Sequence, residues 1–155
     1  MPLPTKANAA NDQVDVRGPR FTAWVTTAVL TVALIVSALR PGVAAVILGL
    51  QAVVFTIGAA GGPRRHPYGR LFASLVAPRL GPVTEREPAP PLKFAQLVGF
   101  VFAAVGVIGF ATGVTTVGLV ATGFALVAAF LNAAFAICLG CQLYPLVARL
   151  RPNPA

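Results

Sequence analysis

A chain of 155 residues that is 57% hydrophobic and 10% charged, with a mean hydropathy of +0.81, lacks the composition of a water-soluble domain. So short a polypeptide cannot hide that much apolar surface in one core. Its formal charge of +8 does not point to nucleic acid, because the twelve Lys and Arg flank apolar runs instead of forming a basic face.

Residues 1–20 are polar and irregular, with Pro2, Pro4, Asn8, Asn11 and an Arg17-Gly18-Pro19-Arg20 break. They predict a disordered cytoplasmic tail ending in basic anchors. The uncharged run 21–39 is 19 residues long, which as a helix reaches roughly 28 Å, one bilayer core. Val36-Ser37-Ala38 resembles a signal-peptidase site, but the run is longer than a signal peptide's apolar segment and Pro41 follows closely, so it reads as a retained span. Arg40-Pro41-Gly42 turns the chain into a second run, 43–60.

The loop 61–93 is different in kind, holding Arg64, Arg65, Arg70, Arg79, Arg86, Lys93, Glu85 and Glu87. Residues 68–77 predict a short amphipathic helix lying in the interface, and Pro88-Ala89-Pro90-Pro91 a stiff extended spacer. A third run, 94–111, and a fourth, 117–139, follow around a Gly-Thr turn, and residues 145–155 read as a second cytoplasmic tail. The expected fold class is therefore all-α: a polytopic membrane protein whose single domain, 21–144, is four transmembrane helices arranged as two hairpins.

Eleven of the twelve basic residues lie on the termini and the central loop; only Arg40 lies at a hairpin tip. The bias places both termini and the loop in the cytoplasm of a plasma-membrane protein. Small residues recur along the runs: Ala121, Ala125, Ala129 and Ala133; Ala128, Asn132, Ala136 and Gly140; Ala95, Gly99 and Ala103; and the pairs Gly109/Gly113 and Gly58/Gly62. They suit close helix packing within a bundle, with a homo-oligomer seam as the alternative. No Asp, Glu, Lys or Arg falls inside a run, which argues against an ion-driven transporter.

The only two cysteines form Cys138-Leu139-Gly140-Cys141. C-x-x-C serves redox or sulfur chemistry, or supplies half of a metal site, and two packing cysteines at a helix end are the plain alternative. With a fourth span running to Leu139, the pair falls at that helix's C-terminal, cytoplasmic end. There the dipole opposes a thiolate and cytosolic reductants oppose a standing disulfide. His66, in Arg64-Arg65-His66-Pro67-Tyr68, is on the same side; it suits a loop anchor, a headgroup contact or a base for a thiol. Arg64, Arg65, Arg70 and Arg79 suit anionic lipid or an acidic soluble partner. HExxH, Walker, GxSxG and dinucleotide motifs are absent, so no cofactor is implied.

Leu71-Phe72 after His66-Pro67-Tyr68, Pro78-Arg79-Leu80-Gly81-Pro82, Phe94-Ala95-Gln96, Leu131-Asn132-Ala133 and above all Cys138-Leu139-Gly140-Cys141-Gln142-Leu143-Tyr144 make the chain, from Arg17 to Tyr144, resemble the small actinobacterial membrane proteins of the DUF4395 family. The resemblance implies an integral membrane protein of unknown function, encoded near thioredoxin-like or sulfurtransferase proteins, and so favours a thiol or sulfur role. The expected function is a thiol-redox or sulfur-transfer component, with either Cys138 or Cys141 as the attacking thiol and the other as the resolving one, and a thioredoxin-like or rhodanese-like partner on the loop. A permease for a small sulfur species and a non-enzymatic scaffold subunit stand beside it.

Overall fold

A computed structural model describes residues 13–150; most of the N-terminal tail and residues 151–155 lie outside the described residues. The elements are β1 (Gln13–Asp15), α1 (Arg17–Ser37), α2 (Pro41–Gly61), a short α3 (Pro67–Leu71), β2 (Arg86–Pro88), α4 (Ala89–Ala111), α5 (Thr115–Phe135) and α6 (Leu139–Leu150). Among the described residues four helices are long and apolar enough to cross a membrane: α1, α2, α4 and α5. They form an up-down-up-down ring in which α1 packs on α2 and α5, and α4 packs on α2 and α5. Every seam is therefore antiparallel. The protein is an all-α, multi-pass membrane protein.

Side-chain placement follows lipid rather than water. Ala33, Ala44, Ala103, Ala121 and Ala133 are buried, while Ile35, Val46, Leu50, Ile108 and Phe124 are exposed on the bundle's outside. Water would drive those large side chains inward; hydrocarbon does not, so close backbone approach holds the helices together instead. The tightest approach is Gly109 of α4 against Gly118 of α5, where a Cβ on Gly109 would run into the Gly118 backbone. Thus Gly109, Gly118, Ala121 and Ala133 serve packing within the chain. Leu30, Ala33, Ala44, Leu48 and Phe110 fill the half of the bundle nearer the hairpin tips.

Helix starts follow backbone chemistry. Pro41 opens α2, and Pro90 and Pro91 lie in the first turn of α4, where the missing N–H groups have no intrahelical acceptor to lose. This corrects the expectation of an extended spacer at residues 88–91: only Pro88 is extended, capping α4. The tail before α1 also differs from expectation, because Gln13–Asp15 pairs antiparallel with Arg86–Pro88 and α1 already begins at Arg17. Arg17 clamps Asp15 with two side-chain nitrogens, its Nη2 standing 2.8 Å from Oδ2, and reaches the Gly81 carbonyl. The ion pair holds the Asp15 carboxyl below its ordinary range.

The helix expected at 68–77 is present. It starts as α3, widens into a π turn over Phe72–Val76 and tightens into a 3₁₀ turn at Ala77–Arg79. Phe72 is its buried anchor, packing against Phe21 and Gly18 of α1.

The largest departure lies in the fourth span. Instead of running to Leu139, α5 stops at Phe135, where Ala136 turns left-handed at φ 57° and its amide returns to the Asn132 and Leu131 carbonyls. The chain then restarts as α6, a 12-residue amphipathic helix where a tail was expected. Helix α6 lies against α4: Tyr144 meets Phe94 with ring centroids 6.0 Å apart. Gly140 sits so close to Ala95 that a Cβ there would come within 2.7 Å of it.

Candidate functional site

The break at Ala136 moves the cysteines to the opposite end of a helix from the one the sequence suggested. Cys138 immediately precedes α6 and acts as its N-cap: the Cys141 N–H donates to Cys138 Sγ at 3.1 Å, and the Gln142 N–H donates to the Cys138 carbonyl. A Ser, Thr or Asp cap works in the same way, satisfying an amide that the first helical turn leaves free. At this position the helix dipole acts in the opposite sense, since a helix N-terminus favours a thiolate. Cys138 and Cys141 are bonded to each other as a disulfide, with Cα atoms 5.2 Å apart. Both residues are half-buried.

Beside Cys138 lies a cavity of about 520 Å³. It starts among Asp15, Arg64 and Arg86 at the face carrying the loop, and reaches inward to Thr26, Phe102 and Ala125. Gly18 to Thr26 on α1 corresponds to a depth of about 12 Å. Its wall is largely apolar. Thr22, Thr26, Gln96 and Asn132 bring polar groups to that wall at membrane depth. Asn132 and Cys138 line the same cavity on either side of the break.

His66 lines the cavity too, but as part of the frame. It is 2% exposed. Its Nδ1 accepts the Tyr68 N–H, so the ring proton is on Nε2, which donates to Gln96 Oε1 at 3.1 Å. The Tyr68 hydroxyl donates to Gln51 Oε1 at 2.8 Å, so His66-Pro67-Tyr68 fastens the loop to α4 and α2 together. Gly58 leaves the room: a Cβ there would stand 2.5 Å from His66 Cδ2. Burial pushes the imidazole down to about 4, against part of which the Gln96 hydrogen bond works. Neutral at physiological pH and turned inward, His66 is neither a headgroup contact nor a ready base.

The arginines divide. Arg65, Arg70 and Arg79 are exposed on the loop, whereas Arg64, also exposed, reaches across to the Gln13 carbonyl and the cavity mouth. Arg20 donates to the Ala133 carbonyl at 3.3 Å, placing a cation at the C-terminal end of α5 just before the break. Arg20, read from sequence only as a basic anchor, and Thr22/Thr26, not singled out there, belong to the site's surroundings. Their only signal is the basic residue that opens the first run and the spacing of two threonines one turn apart.

The family model described as a domain of unknown function (DUF4395) matches residues 14–149. The chain belongs to the DUF4395 family. The match runs from within β1 to within α6, so the disulfide, the His66 anchor and nearly all of the cavity lining fall within it. Searches of curated proteins and of solved structures find no match to this DUF4395 chain.

Proposed function

We propose that this DUF4395 protein is a plasma-membrane component of thiol–disulfide exchange, working at the cytoplasmic face with Cys138 and Cys141 as its redox pair. The observation that carries the reading is the capped disulfide at the start of α6. A sulfur that receives an amide hydrogen bond at a helix N-terminus is a good leaving thiolate. A thiolate of a soluble partner attacks Cys141 Sγ, the Cys141–Cys138 bond breaks, and its electron pair stays on Cys138. The partner's second thiol then attacks the mixed disulfide, leaving the partner oxidised and both cysteines reduced. Exposed Arg65, Arg70 and Arg79 suit an acidic face on a thioredoxin-like or rhodanese-like partner.

The cytoplasmic assignment is supported by the positive-inside bias, eleven of the twelve basic residues lying in the termini and the central loop in sequence, and by the disulfide's place at the loop end of the bundle. A permease is less well supported, because Leu30, Leu48 and Phe110 fill the far half of the bundle.

The test is differential alkylation of native membranes from cells carrying the wild type, Cys138→Ser or Cys141→Ser. Two thiols that appear with a soluble dithiol reductant and vanish on oxidation support the reading, as does a mixed disulfide trapped at Cys141 in the Cys138→Ser chain. Thiols that never change state overturn it, and labelling of Cys141 by an impermeant reagent outside intact cells overturns its orientation.

A further inference from the structure

A redox pair that accepts electrons from soluble thiols must pass them on, and the cavity beside Cys138 indicates where. We infer that it binds the ring of a lipid-soluble quinone, which takes the electrons of the reduced Cys138–Cys141 pair; this rests on the thiol–disulfide reading above.

The cavity lies between membrane-spanning helices and has largely apolar walls, with charge confined to its mouth at Asp15, Arg64 and Arg86. A phosphorylated or otherwise ionic acceptor would be desolvated there without a counter-charge. A neutral ring soluble in lipid would not. The volume of about 520 Å³ falls within the usual range for small-molecule sites.

The wall carries hydrogen-bond donors suited to ring carbonyls. Thr22 and Thr26 are 6% and 4% exposed and line the cavity one helical turn apart. Thr27 and Thr31, on the same helix, fold their hydroxyls back onto the Ala23 and Thr27 carbonyls. Thr22, Thr26 and Asn132 all border the cavity, whereas the fully buried side-chain atoms left without a partner among the described residues, Gln51 Nε2 and Thr122 Oγ1, belong to residues that do not line it. Hydroxyl and amide donors at this wall can serve the two carbonyl acceptors of a quinone.

Stoichiometry agrees. The dithiol gives up two electrons and two protons, and a quinone becomes a hydroquinone by taking two of each. The Cys138 thiolate adds to a ring carbon, forming a C–S bond and sending a ring π pair onto a carbonyl oxygen. Cys141, once deprotonated, attacks Cys138 Sγ: the S–S bond forms, the C–S bond breaks, and its pair returns to the ring. The two thiol protons end on the ring oxygens.

The test uses the full chain in nanodiscs, reduced and freed of reductant, with duroquinone as probe because its fully substituted ring forms no lasting thiol adduct. Hydroquinone is read by absorbance and the disulfide by alkylation. The expected result is one hydroquinone per disulfide. The rate should fall at least fivefold in Thr26→Val, a near-isosteric change, and more in Thr22→Leu. Reduction of the disulfide by a soluble dithiol should stay as in the wild type in both variants. Equal quinone rates in all three chains, or none, overturn the inference while leaving the thiol–disulfide reading intact. A pair that responds to neither quinone nor soluble dithiol defeats both.

Discussion

The amide of Cys141 donates to the sulfur of Cys138 at 3.1 Å, so the second cysteine of the motif holds the first in the N-cap position of α6. The two residues are thus not equivalent. The helix end that stabilises charge on one is made in part from the backbone of the other.

The first prediction is kinetic. Once the disulfide is reduced, Cys138 should alkylate faster than Cys141 at pH 7, because its thiolate gains the amide hydrogen bond and the helix N-terminus. Iodoacetamide rates in Cys141→Ser and Cys138→Ser should differ by about fivefold or more, each thiol being observed alone, consistent with roughly 1 kcal/mol from a helix end. Equal rates would mean that the cap does not act on the thiolate.

The second concerns the seat of α6. Gly140→Ala forces a methyl into Ala95. Overpacking of that kind costs about 1–3 kcal/mol, so the midpoint of thermal unfolding should fall and proteolysis after Leu143 or Leu146 should speed up. Adding Ala95→Gly removes only the Cβ half of the clash, because the Ala95 Cα also stands 2.7 Å from the new methyl, so it should recover only a small part of the loss. An unchanged midpoint in Gly140→Ala would show that α6 does not depend on its seat against Ala95.

The third is a pH dependence. His66 has a folded-state pKa near 4, below its ordinary 6.5. Between those values the unfolded chain binds a proton that the folded chain does not, so stability rises with pH across the window. It is complete above about 6.5 and lost as the pH falls toward 4, by about 3 kcal/mol in all. Half-buried Glu87, whose carboxyl desolvation pushes up, adds its own pH dependence. The readout is therefore the difference between wild type and His66→Gln: melting temperatures that diverge from pH 7 to 4 would oppose the assignment, and convergence would support it.

A fourth prediction addresses the break. Ala136 occupies left-handed backbone at φ 57°, which costs an L-residue with a side chain about 1 kcal/mol. Ala136→Gly should raise the unfolding midpoint slightly and leave the cysteine reactivities unchanged. Ala136→Val should lower it and slow reoxidation of the pair.

The sequence made the bilayer part of this molecule plain. Long uncharged runs bounded by Arg20, Arg40, Lys93 and Pro41 leave little choice of structure, and the four spans emerge near their expected ends. The break at Ala136 was not legible for the same reason. Phe135-Ala136-Ile137-Cys138-Leu139 contains neither proline nor glycine, so hydropathy carries straight through a left-handed turn that hydrogen bonds to Leu131 and Asn132 enforce. Missing that turn put the cysteines at the wrong end of a helix and reversed the sign of the electrostatic argument. The β1–β2 ribbon escaped notice because Gln13-Val14-Asp15 is too short to show a period and finds its partner more than 70 residues away. His66 was visible as a lone histidine, yet its burial depends on Gly58 and Gln96, which belong to two different helices.

The layer of Leu30, Ala33, Ala44, Leu48 and Phe110 makes the cavity a cul-de-sac. In the proposed exchange, reactants enter and products depart on the same side of that plug, so turnover would move no net charge through the hydrocarbon. The voltage across the membrane can then neither drive the chemistry nor brake it, and its direction is left to the chemical potentials of the compounds that meet at Cys138.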